Sequence, residues 1–145
     1  MPEWTPEELA FLHSVFDLAR EGQAERLLEV LDAGIPVNLT NDSGDTLLIL
    51  AAYHRHAAAV GTLLTRGADV DRVNDRGQTA LGAAVFRRDE EIVRALLAAG
   101  ADPDAGPRSA RMLAAFFDLE DMAALLPAPA PGQPSPDPLG TAPTS

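Results

Sequence analysis

The chain has 145 residues, with 22 acidic against 11 basic side chains and a formal net charge of −11. At 46% hydrophobic and 23% charged it has the material of one soluble domain with a continuous core. It contains no cysteine and its basic residues are all arginine, which excludes disulfides, thiolate zinc sites, cysteine nucleophiles, a P-loop lysine and lysine Schiff-base chemistry.

At the start of the sequence, Met1-Pro2-Glu3-Trp4 is acidic rather than basic, so no signal segment is expected there. Thr5-Pro6-Glu7-Glu8 reads as a capping box with proline at the first helical position. Trp4 and Leu9 fall where a hydrophobic staple belongs, so a long first helix is expected over about 6–20. A second helix through Arg26-Leu27-Leu28 and Leu31 ends at Gly34.

Gly34, Gly67 and Gly100 are spaced 33 apart and mark an internal period. Residues 41–73 and 74–106 are identical at 14 of 33 positions. Each copy opens on Asn-Asp-x-Gly, which is turn chemistry, at Asn41-Asp42-Ser43-Gly44 and Asn74-Asp75-Arg76-Gly77. Thr46 and Thr79 then read as N-caps of short apolar helices, Leu47 to Tyr53 and Ala80 to Phe86. The second helices close on Leu63-Leu64 and Leu96-Leu97 before the glycine, and Asp89-Glu90-Glu91 favour the dipole of the later one. Residues 107–126 keep a shortened pair, with Ser109 as helix start, Met112 to Phe117, then Glu120 to Leu126. Beyond Leu126 come seven prolines and one charge, Asp137, a composition that reads as a disordered or extended tail over 127–145. No apolar run along the chain approaches the roughly 20 residues of a membrane span.

The 33-residue period, the Asn-Asp-x-Gly-x-Thr-x-Leu block, the paired leucines and the Gly-Ala-Asp ending make 9–126 resemble the ankyrin repeat family. The resemblance implies an all-α ankyrin-repeat solenoid of stacked helix-turn-helix units with β-turn connections. It divides into an N-cap unit at 9–40 behind a 1–8 leader, full repeats at 41–73 and 74–106, and a truncated C-cap unit at 107–126. The family's Thr-Pro-Leu-His reads Thr46-Leu47-Leu48-Ile49 and Thr79-Ala80-Leu81-Gly82, so the histidine that ties the turns together is missing. Its Gly-His before the second helix reads Arg55-His56 and Arg88-Asp89. The core is expected as a ladder of Leu27/Leu28, Val60/Leu63/Leu64, Val93/Leu96/Leu97 and Leu125/Leu126.

By the same resemblance, contact with a partner belongs to the turn tips and the ends of the first helices. These positions are Asp42, Ser43, Asp45, Asp75, Arg76 and Gln78 at the tips, and Arg20, Tyr53, His54, Phe86 and Arg87 at the helix ends. Tyr53 and Phe86, one repeat apart, either form an aromatic stripe of the residue types enriched in binding hot spots or pack down onto the next repeat. The recurrent aspartates of the turn edge either steer a basic partner or serve the turns' own backbone.

His54 and His56 lack a third ligand at a workable spacing, so no metal site is expected. Neither a nucleophile elbow nor a phosphate loop is present, and neither catalysis nor a cofactor is expected. The acidity disfavours nucleic acid and anionic membrane as ligands. The expectation is a cytoplasmic protein, monomeric when unbound, that binds a partner protein. One rival is an acidic inhibitor that fills a basic or nucleic-acid-binding site, which requires one continuous acidic face. Another is metal-assisted hydrolysis through His54 and His56. In the tail, Pro131-Gly-Gln-Pro134 matches a P-x-x-P ligand pattern without a flanking arginine and reads better as spacer.

Overall fold

A computed structural model describes residues 4–129; the proline-rich segment expected to be a tail falls largely outside them. Among the described residues eight helices succeed one another: α1 (Pro6–Glu21), α2 (Ala24–Asp32), α3 (Leu47–Tyr53), α4 (Ala57–Thr65), α5 (Ala80–Phe86), α6 (Glu90–Ala98), α7 (Ala110–Phe116) and α8 (Glu120–Leu125). Successive helices pair as hairpins, and the pairs stack so that α1, α3, α5 and α7 form one row and α2, α4, α6 and α8 the other. Among the described residues the only β pairings are the isolated bridges Thr40–Thr46 and Gln78–Arg108. The fold is an all-α solenoid.

The helices of the inner row start where a polar residue satisfies a free amide. The Oγ1 of Thr5 accepts from the Glu8 N–H at 3.1 Å, Thr46 from Ile49 at 3.0 Å and Thr79 from Gly82 at 3.0 Å. The hydroxyl of Ser109 accepts from Met112 at 3.2 Å, so α7 begins at Ala110, directly after its cap. The Thr46, Thr79 and Ser109 caps are buried between repeats, where loss of one costs about 1 kcal/mol. In the outer row Asp89 caps α6 through Ile92. Past the second helices, Gly34, Gly67 and Gly100 take the positive φ expected of a residue that ends a helix.

Packing explains the register. In α3 and α5 every residue but the last is buried, because these helices are covered on both sides by neighbours. In the outer row, Leu27, Val60 and Val93 form one buried line and Val30, Leu63 and Leu96 another; each fully buried leucine is worth about 1.5–3 kcal/mol. Leu31, Leu64 and Leu97 are half-buried against them. Leu28 departs from the expectation: it occupies the position of Gly61 and Arg94, on the solvent side, and is 37% exposed. At the far end Met122 and Leu126 close the core, with Leu125 partly covered.

The missing histidine does not leave the turns unlinked. Main-chain bonds run from Asp75 N–H to the Ser43 carbonyl at 3.0 Å and from Arg108 N–H to the Gly77 carbonyl at 3.1 Å. Within each turn the Oδ1 of Asn41 or Asn74 accepts two amide bonds, and Asn74 Nδ2 donates across to Asp45 Oδ1. Further out, Asn38 accepts from the Asp69 amide and Asp71 from the Asp102 amide, each at 2.8 Å. Two of the repeated acidic-edge positions, Asp45 and Asp71, thus bind groups of the next repeat. Between the helices of the last three hairpins, Arg55, Arg88 and Asp118 adopt positive φ, and the two arginines reach forward to Asp89 and Asp121 in the succeeding repeat.

Candidate functional site

The three short helices of the inner row each end in an aromatic ring that their neighbours leave partly uncovered. Tyr53 closes α3, Phe86 closes α5, Phe116 closes α7, and Phe117 caps it. Tyr53 and Phe86 lie nearly parallel, with centroids 6.5 Å apart and an interplanar angle of 10°. Phe86 meets Phe117 edge-on at 5.6 Å, and Phe117 meets Phe116 at 4.9 Å. The four rings remain open to solvent, at 38%, 46%, 66% and 48% for Tyr53, Phe86, Phe116 and Phe117. They line a groove of about 530 Å³ with Gln78, Gly82, Pro107, Arg108, Met112 and Leu113.

Gly82 shapes that groove. It stands where the motif has histidine, and a Cβ there would press on the Arg108 carbonyl, Leu113 and the Thr79 hydroxyl at 3.2–3.3 Å. The absent side chain leaves the groove floor to backbone and to Leu113.

Arginine placement gives the groove its charge. Nine of the eleven arginines pair with a carboxylate within 4.0 Å. The two that make no ion pair among the described residues are Arg87 and Arg108. Arg108 lines the groove, and the Arg87 guanidinium lies 5.2 Å from the Tyr53 ring centroid, a cation–π distance. Beside Arg87, His54 meets the Tyr53 ring edge-on at 5.2 Å. Its pKa is held below the usual 6.5 by partial burial and by the neighbouring His56, Arg20 and Arg87. This end of the inner row is therefore locally positive on a strongly acidic protein.

The other predicted contact residues divide by location. Gln78 lines the groove but also accepts from Asn74 Nδ2 at 3.0 Å. Asp75 is exposed at its tip, and Arg76 beside it reaches Asp45 at 3.6 Å. Asp42 and Ser43 are exposed at the preceding tip and line a separate cavity with Trp4, Leu9, His13 and Arg20. Arg20 is half-buried and bonded to Asp17 at 2.9 Å, so it does not join the aromatic row. Asp45 departs from the expectation of a free tip: at 5% exposure it is committed to Asn74 and Arg76, because a carboxylate at that depth needs partners on both sides.

His54 and His56 stack at 6.5 Å, but His56 Nε2 bonds the Arg20 carbonyl at 2.7 Å, satisfying the end of α1. Among the described residues no three histidine, aspartate or glutamate side chains gather as a metal site would require.

Sequence reasoning alone does not single out Met112, Phe116, Phe117 or Arg108 as contact residues. Gly100 to Ser109 is three residues shorter than Gly67 to Thr79, so Phe116 comes 30 rather than 33 positions after Phe86. Alignment on the helix-capping hydroxyls, instead of the glycines, reveals the match.

The family model for ankyrin repeats, in three copies, matches residues 15–107. The chain belongs to the ankyrin-repeat family. A curated ankyrin repeat protein of Pseudomonas aeruginosa is 51% identical over 59 residues, which are 41% of this chain and 34% of that protein. The matched region thus covers about a third of that relative's length. Ankyrin repeats are generally protein-interaction modules, and among the described residues no helix is long and apolar enough to cross a membrane.

Proposed function

We propose that this ankyrin-repeat chain is a protein-binding module whose principal contact surface is the aromatic groove, with the exposed tips Asp42, Ser43, Asp75 and Arg76 beside it. The observation that carries the reading is the row of four solvent-open rings bordered by Arg87 and Arg108. Aromatic and arginine side chains are the types that dominate binding energy, and these two arginines have no competing carboxylate among the described residues. An exposed apolar groove of this kind marks an interaction site. No reaction is assigned to it.

The acidic-inhibitor reading is less favoured. It needs an unbroken acidic face, whereas nine arginines are interleaved with carboxylates over the surface. Hydrolysis through His54 and His56 is less favoured, since among the described residues no third ligand gathers with them.

The test is affinity capture from native extract with the wild type and a Tyr53→Ala, Phe86→Ala, Phe117→Ala variant, each first shown to melt cooperatively. Loss of the same captured proteins from the variant supports the groove. Equal capture by both proteins would place the contact elsewhere.

A further inference from the structure

We infer that the groove is occupied in the unbound protein by the chain's own segment 131–139, Pro-Gly-Gln-Pro-Ser-Pro-Asp-Pro-Leu. Three observations converge on this occupant. The first is position. Pro127, two residues before the end of the described chain, accepts a 2.7 Å hydrogen bond from Arg111 Nη2. Arg111 lies in α7, the helix whose Met112, Leu113 and Phe116 line the groove. Arg111 itself does not line the groove, but its bond brings the chain past α8 back to the helix that supplies one wall.

The second is reach. Residues 130–145 in polyproline II geometry, at about 3.1 Å per residue, extend about 50 Å. Three stacked helices at interaxial spacings of 8–10 Å span only about 20 Å. The segment is long enough to cross from α7 to α3 with residues to spare.

The third is chemistry. Pro131, Pro134, Pro136 and Pro138 offer flat apolar rings of the kind that dock on exposed aromatics, and a proline-fixed backbone has little freedom left to lose. Leu139 is the single large aliphatic residue of 130–145, and Asp137 is its only charged side chain. A lone carboxylate on an apolar strand complements Arg108, the arginine that lines the groove and makes no ion pair among the described residues. The segment therefore covers the groove until a partner displaces it, and the P-x-x-P pattern acquires an acceptor within its own molecule.

The test uses the full chain, whose lack of native cysteine allows a single Thr141→Cys substitution to carry a nitroxide. Methyl signals are read with the label oxidised and then reduced, in the absence of any partner. The expected result is that Met112 and Leu113 lose most of their intensity while Ile35 and Leu39, beside Trp4 near the N-terminus, keep theirs. The loss is unchanged on dilution. Adding Asp137→Arg restores the Met112 signal, and combining it with Arg108→Asp brings the broadening back. No broadening, uniform broadening over the surface, or broadening that fades on dilution and so reports a second copy would each overturn the assignment. Since no partner is used, this result and the capture experiment can fail independently.

Discussion

Asn74 Nδ2 donates a 2.7 Å hydrogen bond to Asp45 Oδ1, joining two turns through a pair of side chains each only 5% exposed. The same Asn74 supplies its Oδ1 to the amides of Arg76 and Gln78, so one side chain both shapes its own turn and ties it to the preceding one. In this solenoid the work assigned to the motif's histidine is done by turn residues.

Asn74→Ala removes all of these bonds and leaves Asp45 with Arg76 as its remaining partner. Loss of a partner from a buried polar group costs about 1–3 kcal/mol, and the variant should fall in that range by chemical denaturation. Asp42→Ala, at an exposed tip, should stay within about 0.5 kcal/mol. Equal effects of the two would mean that the inter-turn bond contributes nothing.

The outer helices give a second contrast. Leu96 is fully buried in the line from Val30 through Leu63, and Leu96→Ala should cost roughly 2–5 kcal/mol. Leu28→Ala should change stability by no more than about 0.5 kcal/mol, since leucine and alanine differ little in helix propensity and the side chain faces water. Thermal or denaturant unfolding of the two variants separates the buried line from its exposed neighbour.

That contrast also marks how far the sequence can be read. The turns, the capping hydroxyls and the limits of α3 and α5 are legible because Asn, Gly and Thr act through local backbone chemistry. Leu28 is misplaced by sequence because Leu27-Leu28 looks like Leu63-Leu64, although the glycine spacing aligns it with Gly61. Asp45 resembles a free tip because depth beneath a neighbouring turn is a tertiary property. The groove is half legible: Tyr53 and Phe86 keep the 33-residue period, whereas Phe116 and Phe117 lie beyond a turn shortened by three residues. The arginines that border it cannot be sorted from the others by sequence, because pairing depends on which carboxylate the fold brings near.

His54 reports the local field at the end of the inner row. Partial burial and then the positive neighbours His56, Arg20 and Arg87 disfavour its protonated form. Its imidazole resonances should titrate below 6.5, and the midpoint should rise in Arg87→Ala. The unfolded chain binds this proton more readily, so the stability associated with neutral His54 is fully present above pH 6.5 and is lost as pH falls through the folded pKa. A midpoint unmoved by Arg87→Ala would place that guanidinium too far from the ring to matter.

Gly22 ends α1 and Gly67 lies just past α4, both with left-handed backbone at φ 73° and 84°, yet their surroundings differ. Around Gly67 a Cβ would find open space, so Gly67→Ala should cost only the left-handed strain of about 1–2 kcal/mol. At Gly22 a Cβ would fall on the His56 ring, which is fixed by its bond to the Arg20 carbonyl. Gly22→Ala should carry the same strain and about 1–3 kcal/mol more for overpacking. The clash predicts a specific non-additivity: in a His56→Ala background, Gly22→Ala should cost no more than Gly67→Ala does. Unfolding free energies of Gly67→Ala, Gly22→Ala, His56→Ala and the Gly22→Ala, His56→Ala double variant make the comparison. If Gly22→Ala remains the costlier change after the imidazole is removed, the requirement for glycine lies in the α1–α2 turn itself rather than in the contact with the next repeat.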